Sequence, residues 1–262
     1  MRTKAFSLLL AIISQIASAQ PVVNPAASPV APGSLMSIFG SGLSTTIQSA
    51  STVPLSVTVA DVASVTIGGV NAPVLVVSPG QIIAQVPWEA VPGGPANVVV
   101  TNGAGASQTV QVQVAEFAPT VMNLNFGTTA QAYVINQDGT LNGAGTILGS
   151  IPTAVSHPEF SGSMVTIYAT GLGPVSSAPA DGSISSPQAS PALSTPFVTI
   201  AGASAQVVSC GLSSKYPGVY EVVVSVPYGI TPGNDQPIQI TMNDPNTGNA
   251  ASSTNTATMA SQ

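Results

Sequence analysis

The stretch Pro32-Gly-Ser-Leu-Met-Ser-Ile-Phe-Gly-Ser-Gly-Leu43 decides the fold, because it recurs later in the chain as Ser161-Gly-Ser-Met-Val-Thr-Ile-Tyr-Ala-Thr-Gly-Leu172. Two more blocks recur in the same order, which indicates two copies of one module. They are Val65-Thr-Ile-Gly-Gly-Val-Asn-Ala-Pro-Val74 with Val198-Thr-Ile-Ala-Gly-Ala-Ser-Ala-Gln-Val207, and Ile82-Ile-Ala-Gln-Val-Pro-Trp88 with Val222-Val-Val-Ser-Val-Pro-Tyr228. We therefore expect module one at 21–116 and module two at 117–262, sizes that suit single sandwich domains.

Both copies alternate apolar and polar residues, as half-buried strands do. Val110-Gln-Val-Gln-Val114 and Ile238-Gln-Ile-Thr-Met242 alternate strictly, and no helical period competes with them. Proline lacks the amide proton that a strand ladder needs, so Val86-Pro87 and Val226-Pro227 predict strand ends at matching places. The sequence thus predicts an all-β protein of two tandem immunoglobulin-like β-sandwiches.

Module two carries additional sequence before its first shared block. Strand-forming residues surround an Asp-Gly turn in Ala132-Tyr-Val-Ile-Asn-Gln-Asp-Gly-Thr-Leu-Asn142, a pattern typical of a β-hairpin. We therefore expect a hairpin insertion near 131–142, followed by a loop from Gly143 to Pro158.

Four stretches are specific enough to compare with known families: Ser78-Pro-Gly-Gln-Ile82, Gln85-Val-Pro-Trp-Glu89, Asn136-Gln-Asp-Gly-Thr-Leu-Asn142 and Val165-Thr-Ile-Tyr-Ala-Thr-Gly-Leu-Gly-Pro174. They closely resemble the Solibacter-type C-terminal domain family of acidobacterial secreted proteins, over nearly the whole mature chain. The modules are also similar to the IPT/TIG branch of immunoglobulin-like domains. This resemblance implies IPT/TIG-type sandwiches in an exported protein. It implies no established activity, so no catalytic residue carries over.

Residues 1–19 have the three regions of a secretory signal peptide: a basic start, an apolar run from Ala5 to Ile16, and small residues before a cleavage point after Ala19. The apolar run is too short to span a membrane. An ordinary buried N-terminal helix is the alternative interpretation. We expect a secreted protein that is extracellular, periplasmic or held at the cell surface.

The mature chain is strongly acidic because its signal peptide carries two of the three basic residues. Lys215 and nine acidic side chains remain, which gives a side-chain charge of 1 − 9 = −8. Nucleic acids and anionic membranes are bound by clusters of lysine and arginine, and none can be assembled here. The sequence therefore excludes nucleic acid as a partner, and outside the signal peptide it predicts no membrane span.

Few residues of the chain could perform catalysis, since His157 is the only histidine and Cys210 the only cysteine. No Gly-x-Ser-x-Gly motif presents a serine, and a zinc site needs three or four ligands. We expect His157 to be a solvated loop residue, and Cys210 to be a core residue or a thiol that pairs between chains. The sequence predicts no enzyme and no cofactor.

Calcium is the ion for which the sequence does offer candidates, because exported β modules bind it with Asp and Asn oxygens at loop ends. The weak candidates are Asp138 in Asn136-Gln-Asp138 and Asp244 in Asn243-Asp-Pro-Asn246. The alternative is that both stretches are turns, which favour Asn and Asp for backbone reasons.

Aromatic residues are the remaining candidates for ligand contacts. Trp88 and Tyr228 follow the matching prolines of the two modules, and Tyr216 and Tyr220 lie near Lys215. Each could stack on a sugar or anchor a protein, but Trp88 and Tyr228 could equally close the ends of their sandwiches. We predict possible ligand contacts at these four residues.

Three functions follow in order of preference. The first is an exported, non-catalytic surface or periplasmic module for adhesion, assembly or protein interaction, and the second is a polysaccharide-binding module. The third is a hydrolase with an unrecognised pair of carboxylates, because glycoside hydrolysis needs only two. The expected partner is a cell-envelope or extracellular protein or glycan. Weakly charged sheet edges also predict self-association.

Overall fold

A computed structural model of the chain describes residues 20–25, 29–126, 129–143, 156–244, 248–253 and 257–262. These ranges contain strands, turns and bends but no helix, so the prediction of an all-β protein is confirmed. In particular, the described residues form no helix that is long and apolar enough to cross a membrane. The predicted signal peptide lies outside the described residues.

Module one is built from short antiparallel strands in two sheets. The strand order is β1-β2-β7-β6-β3 in one sheet and β10-β8-β4-β5 in the other, with β9 paired to β8. The strands are β1 (Val22–Val23), β2 (Leu35–Ser41), β3 (Gln48–Ser49), β4 (Val62–Ile67), β5 (Val70–Asn71), β6 (Val74–Val77), β7 (Gln81–Gln85), β8 (Gly94–Asn102), β9 (Gly105–Ala106) and β10 (Val110–Val114).

Module two has corresponding strands with additions, and these strands are joined into one continuous hydrogen-bonded path. The strands are β11 (Thr120–Val121), β12 (Asn123–Phe126), β13 (Thr129–Ala132), β14 (Val134–Asn136), β15 (Leu141–Asn142), β16 (Ser156–His157), β17 (Met164–Thr170), β18 (Phe197–Ile200), β19 (Ala203–Leu212), β20 (Tyr220–Ser225), β21 (Gly233–Asn243), β22 (Ala250–Ser252) and β23 (Ala257–Ser261). The first half of β19 pairs with β18 and the second half with β20, with a bulge between Val207 and Ser209. Such a bulge lets one strand pass from one sheet to the other.

Two hydrophobic clusters form the core. One contains buried residues from Val23 to Val114, and the other contains buried residues from Phe117 to Met259. Strand β10 shows how the sequence produces this, since Val112 and Val114 are buried, Val110 is half-buried and the two glutamines between them face solvent. The matched valine-proline pairs follow β7 and β20 directly, as predicted from the missing amide proton.

The linker between the modules consists of Glu116 and Phe117, and the residues on both sides of it are hydrogen-bonded to the modules. The Ala115 amide donates to Val30 O at 2.8 Å in module one, and the Ala118 amide donates to Gly171 O at 2.9 Å in module two. Phe117 is buried in the core of module two. A Cβ on Gly173 would collide with the Phe117 ring, so only glycine fits there. The linker therefore keeps the two sandwiches close together.

The predicted hairpin of module two is present as β14 and β15, joined by a turn over Gln137–Gly139. Strand β14 pairs along β17, which adds the hairpin to a sheet of the sandwich. The structure corrects one part of the loop expected at Gly143 to Pro158: Ser156–His157 forms β16 and pairs in parallel with β15. Residues 144–155 of that loop lie outside the described residues.

Candidate functional site

Trp88 and Tyr228 occupy matching places in the two modules and cover matching glycines. Gly33 (φ +74°) and Gly162 (φ +87°) both have a backbone conformation that favours glycine, and a Cβ on either would collide with the aromatic ring above it. The surroundings differ, however. Trp88 is half-buried and packs against the core of module two, whereas Tyr228 is 81% exposed. Trp88 thus packs against the other module, whereas Tyr228 is largely exposed.

The backbone of Trp88 is also tied to module two. Its amide donates to Asp181 Oδ1 at 3.1 Å. The indole Nε1, by contrast, is buried and has no hydrogen-bond partner among the described residues. A buried donor without a partner costs roughly 1–3 kcal/mol, so packing of the ring has to offset that cost.

Gln85 joins the two modules with both ends of its amide. Its Nε2 donates to Gly33 O at 3.1 Å within module one, and its Oε1 accepts from the Gly182 amide of module two at 2.6 Å. The side chain is fully buried. Gly182 O in turn accepts from the Leu55 amide at 2.8 Å. The matching residue of module two is Ser225, whose hydroxyl reaches only Gly162 O, at 3.3 Å.

Thr170 forms a second polar bridge at the same junction. Its Oγ1 accepts from the Leu35 amide of module one at 2.9 Å and donates to Gly218 O at 2.6 Å. Because the hydroxyl is buried and uses both its donor and an acceptor, it fixes module one against two segments of module two. Together these bonds hold the two sandwiches in one orientation.

The junction contains one perturbed carboxyl group. Burial raises the pKa of Asp181 above its usual value, and the neighbouring Glu89 carboxylate raises it further, while the bond from the Trp88 amide opposes both. The protonated form of Asp181 is therefore favoured in the folded protein relative to the unfolded chain.

A cleft opens at this junction, which we call the junction cleft. Its volume is about 280 Å³. Module one, the linker and module two all contribute to its walls, which consist of Pro32, Trp88, Ala90, Pro92, Glu116 and Pro174. The cleft therefore depends on the orientation of the two modules.

A second hollow lies on the sheet of module one, and we call it the sheet depression. Its volume is about 430 Å³. It shares Ala90 with the junction cleft. Its floor and rims are formed by Ile67, Gly68, Val70, Glu89, Ala90, Val91, Pro95, Ala96, Asn97 and Gln111.

The tyrosines near Lys215 fall into two groups. Tyr220 is fully buried, and its hydroxyl donates to Gly173 O, so no face of its ring can reach a ligand. Tyr216 is partly exposed and packs edge-on against Tyr133 and Tyr168, with ring centroids 6.1 and 5.8 Å away. Tyr133 and Tyr168 stack on each other at 4.5 Å. The Tyr133 and Tyr216 hydroxyls lie 3.1 Å apart on the exposed side of this cluster.

His157 differs from the solvated loop residue that the sequence predicts. It lies in β16, where its Nε2 is 2.9 Å from Asp138 Oδ2 and 2.8 Å from Thr140 Oγ1. Bonding to Pro158 O and to the Asp138 carboxylate raises its pKa. Bonds from Thr140 and His157 lower the pKa of Asp138 to about 2. The His157 side chain therefore attaches β16 to the turn of the β14–β15 hairpin.

The two calcium candidates take part in hydrogen bonds of their own turns. Both oxygens of Asp138 are used by Thr140 and His157. Asp244 begins a turn in which the Gly248 amide donates to its carbonyl at 2.8 Å, and Asn246 lies outside the described residues. No group of three or more His, Cys, Asp or Glu side chains that could hold a metal occurs within the described part of the chain.

Cys210 packs against the core of module two as a free thiol. Burial raises its pKa to about 12, which keeps the thiolate scarce at neutral pH. This placement is the core alternative of the two that the sequence left open.

Sequence reasoning found Trp88 but missed Gln85, Thr170 and Asp181. The aligned blocks held one usable signal, since Gln85 and Ser225 differ within otherwise similar stretches. Asp181 lies in a long loop of module two that has no counterpart in the aligned blocks, so nothing in the repeat points to it.

The family model for the IPT/TIG domain matches residues 21–115, which supports immunoglobulin-like modules. No curated protein matches the chain.

Several solved structures are similar to the chain at low identity. SGBP-B of the Bacteroides ovatus mixed-linkage glucan utilization locus, in complex with a mixed-linkage heptasaccharide, is 14% identical over 92% of this chain and 45% of its own, with a TM-score of 0.38. A surface glycan-binding protein of Prevotella bryantii is 10% identical over 92% and 43%, with a TM-score of 0.26. Gamma-CGTase of alkalophilic Bacillus clarkii is 16% identical over 92% and 26%, with a TM-score of 0.28. The chain thus spans less than half the length of each.

Proposed function

We propose that this chain is an exported, non-catalytic binding module whose two sandwiches act as one rigid unit and bind a partner in the junction cleft. The observation that carries the proposal is the composition of the cleft walls, to which module one, the linker and module two all contribute. Because buried hydrogen bonds fix the orientation of the modules, the cleft is formed before the partner arrives. A preformed site loses less entropy on binding.

The partner is a protein or glycan of the cell envelope or its surroundings. A mature side-chain charge of 1 − 9 = −8 repels acidic partners and favours neutral or basic ones. Export rests on the signal peptide expected at 1–19, and the resemblance to the Solibacter-type family of secreted proteins agrees with it.

Binding is favoured over catalysis by the roles that the ionisable groups already have. Glu89 and Asp181 interact across the junction, but Asp181 holds the Trp88 amide. His157 and Asp138 bind each other on the hairpin of module two. These groups serve structural contacts, which leaves them poorly suited to move protons for a substrate.

The proposal is tested with a variant in which a large side chain at the rim fills the junction cleft. Pro92 is exposed and lines the cleft, so Pro92→Trp should block it, and Pro232→Trp is the matched control because Pro232-Gly233 repeats Pro92-Gly93 in module two. The wild type and both variants are passed over immobilised polysaccharides and cell-envelope proteins. We expect a partner that the wild type and Pro232→Trp retain, that Pro92→Trp loses, and that is recovered unmodified. A partner retained equally by all three, or one that is cleaved, contradicts the proposal.

A further inference from the structure

The junction cleft and the sheet depression adjoin each other along the loop from Trp88 to Pro92. They share Ala90, and the residues around it alternate between them: Trp88 lines the cleft and Glu89 lines the depression. Val91 also lines the depression and is 79% exposed. An extended ligand could therefore pass over this loop and occupy both hollows. We call the two hollows together the groove.

The polar side chains of the depression suit hydroxyl groups. Asn97 on β8 and Gln111 on β10 are directly paired across the sheet, and both are exposed. The Gln111 Nε2 donates to Asn97 Oδ1 at 3.4 Å, a long bond that leaves amide donors and acceptors facing solvent. A hydroxyl group is both a donor and an acceptor, so adjacent hydroxyls on a ring can pair with both amides.

The apolar residues of the groove suit the carbon faces of a sugar ring. The cleft is walled by Trp88 and by prolines, and the depression by Val70 and Val91. Aromatic and aliphatic surfaces of this kind pack against the C–H faces of a ring that carries its hydroxyls at the edge. Both hollows of the groove therefore combine apolar surface with groups that can form hydrogen bonds.

The charge of the groove selects against acidic ligands. Glu116 lines the cleft and Glu89 lines the depression, and both can accept from hydroxyl groups. Lys215, the only lysine or arginine in the described residues, lines neither hollow. A phosphorylated, sulfated or uronic acid chain would meet two carboxylates and no cation.

A bound peptide fits the groove less well. Extended peptides gain affinity by pairing with a free sheet edge, but the depression is lined by residues from all four strands of the β10-β8-β4-β5 sheet and does not follow one edge. Protein hot spots are desolvated apolar pockets with few charges, whereas the depression contains two amides and each hollow contains a carboxylate.

We infer that the groove binds a linear, neutral polysaccharide whose consecutive sugar rings occupy the junction cleft and the sheet depression. The inference rests on the proposed function and adds the class of ligand and the second half of its site. It predicts that affinity rises with oligosaccharide length until both hollows are filled, and that it then becomes constant.

The test uses the whole chain in affinity gels that contain a neutral glucan, mannan, xylan or galactan, with alginate as an acidic comparison. The double variant Asn97→Ala/Gln111→Ala removes the amide pair, and Gln239→Ala is the matched control because Gln239 is an exposed strand glutamine in module two. We expect one neutral polysaccharide to retard the wild type and Gln239→Ala. Loss of two hydrogen bonds should weaken the double variant about tenfold. Thermal unfolding confirms that all variants are folded.

Each other outcome overturns the inference in a recognisable way. If no neutral polysaccharide retards the wild type but Pro92→Trp abolishes binding of a protein, the proposed function is supported. The inference that the ligand is a polysaccharide is then overturned. Equal retardation of the double variant, or stronger retardation by alginate, overturns the groove as the neutral glycan site. If neither a glycan nor a protein binds, the inference and the proposed function fail together.

Discussion

At the scale of single residues, Trp88 is a side chain of module one that contacts module two. Its ring covers Gly33 and packs against the core of module two. Trp88→Ala should lower the free energy of unfolding by about 3 kcal/mol, as is usual for large aromatic residues in packed sites. Trp88→Phe should cost less, because it also removes the buried indole N–H that has no partner among the described residues.

Urea unfolding of the two Trp88 variants measures this effect, and Tyr228→Ala provides the control at the matching position. Since Tyr228 is 81% exposed, we expect it to contribute less than about 1 kcal/mol. Equal losses for Trp88→Ala and Tyr228→Ala would show that the contact with module two contributes nothing.

Asp181 should make the junction sensitive to pH. Burial raises its folded pKa above the unfolded value near 3.8, so its stabilising contribution is complete below that value and is lost as pH rises through the folded pKa. Asp181→Asn keeps an oxygen for the Trp88 amide and does not ionise. The free energy of unfolding of Asp181→Asn, minus that of the wild type, should therefore increase between about pH 4 and pH 7. A difference that is constant with pH would contradict this interpretation.

At the scale of secondary structure elements, the hairpin of module two depends on an ion pair. The raised pKa of His157 gives stability that is present below about pH 6.5 and is lost as pH rises through the folded value. The pKa of Asp138, lowered to about 2, gives stability that is present above about pH 4 and is lost as pH falls toward 2. Both contributions are present in mildly acidic solution.

Hydrogen exchange at the Thr140 amide measures this pair, because that amide donates to Asp138 Oδ1 at 2.9 Å. After correction for the intrinsic rate, protection should be higher near pH 5.5 than near pH 8 in the wild type. In His157→Ala this difference should disappear. Persistence of the difference in the variant would assign it to another group.

The prediction of self-association is based on the uncharged edge strands of the sheets. Strand β3 (Gln48–Ser49) ends one sheet of module one without a charged residue, and Ile47 beside it is 81% exposed. Uncharged edges of this kind pair with other chains. We expect concentration-dependent association in sedimentation that Ile47→Lys reduces and Tyr228→Lys, at an equally exposed site away from this edge, does not. A monomer at high concentration would contradict the prediction.

The strands could be predicted from the sequence because their signals are local. Alternation in Val110-Gln-Val-Gln-Val114 and the proline after Val86 each act within a few residues. The junction could not be predicted, because Gln85 and Gly182 are 97 residues apart in sequence and their bond depends on the orientation of two folded units. His157 was misjudged for a related reason, since its partner Asp138 comes from the preceding hairpin.

At the scale of the whole molecule, Gln85 decides whether the two sandwiches move together. Gln85→Ser copies the residue of module two and leaves the Gly182 amide without the oxygen that it contacts at 2.6 Å. An unsatisfied buried amide costs roughly 1–3 kcal/mol, so the junction should loosen while each sandwich stays folded. Small-angle scattering should show a broader range of distances for Gln85→Ser than for the wild type or for Ser225→Gln. Identical scattering from all three would show that the bond does not fix the orientation.

The attached linker also determines how the protein would respond to mechanical force. Only Glu116 and Phe117 lie between the bonds that hold Ala115 to module one and Ala118 to module two. When a tether is pulled from both ends, the linker itself would therefore add almost no length, and the molecule would lengthen only by reorientation of the sandwiches or by their unfolding. For a protein that holds a polymer against flow, the linker would transmit tension from one sandwich to the next almost without stretching.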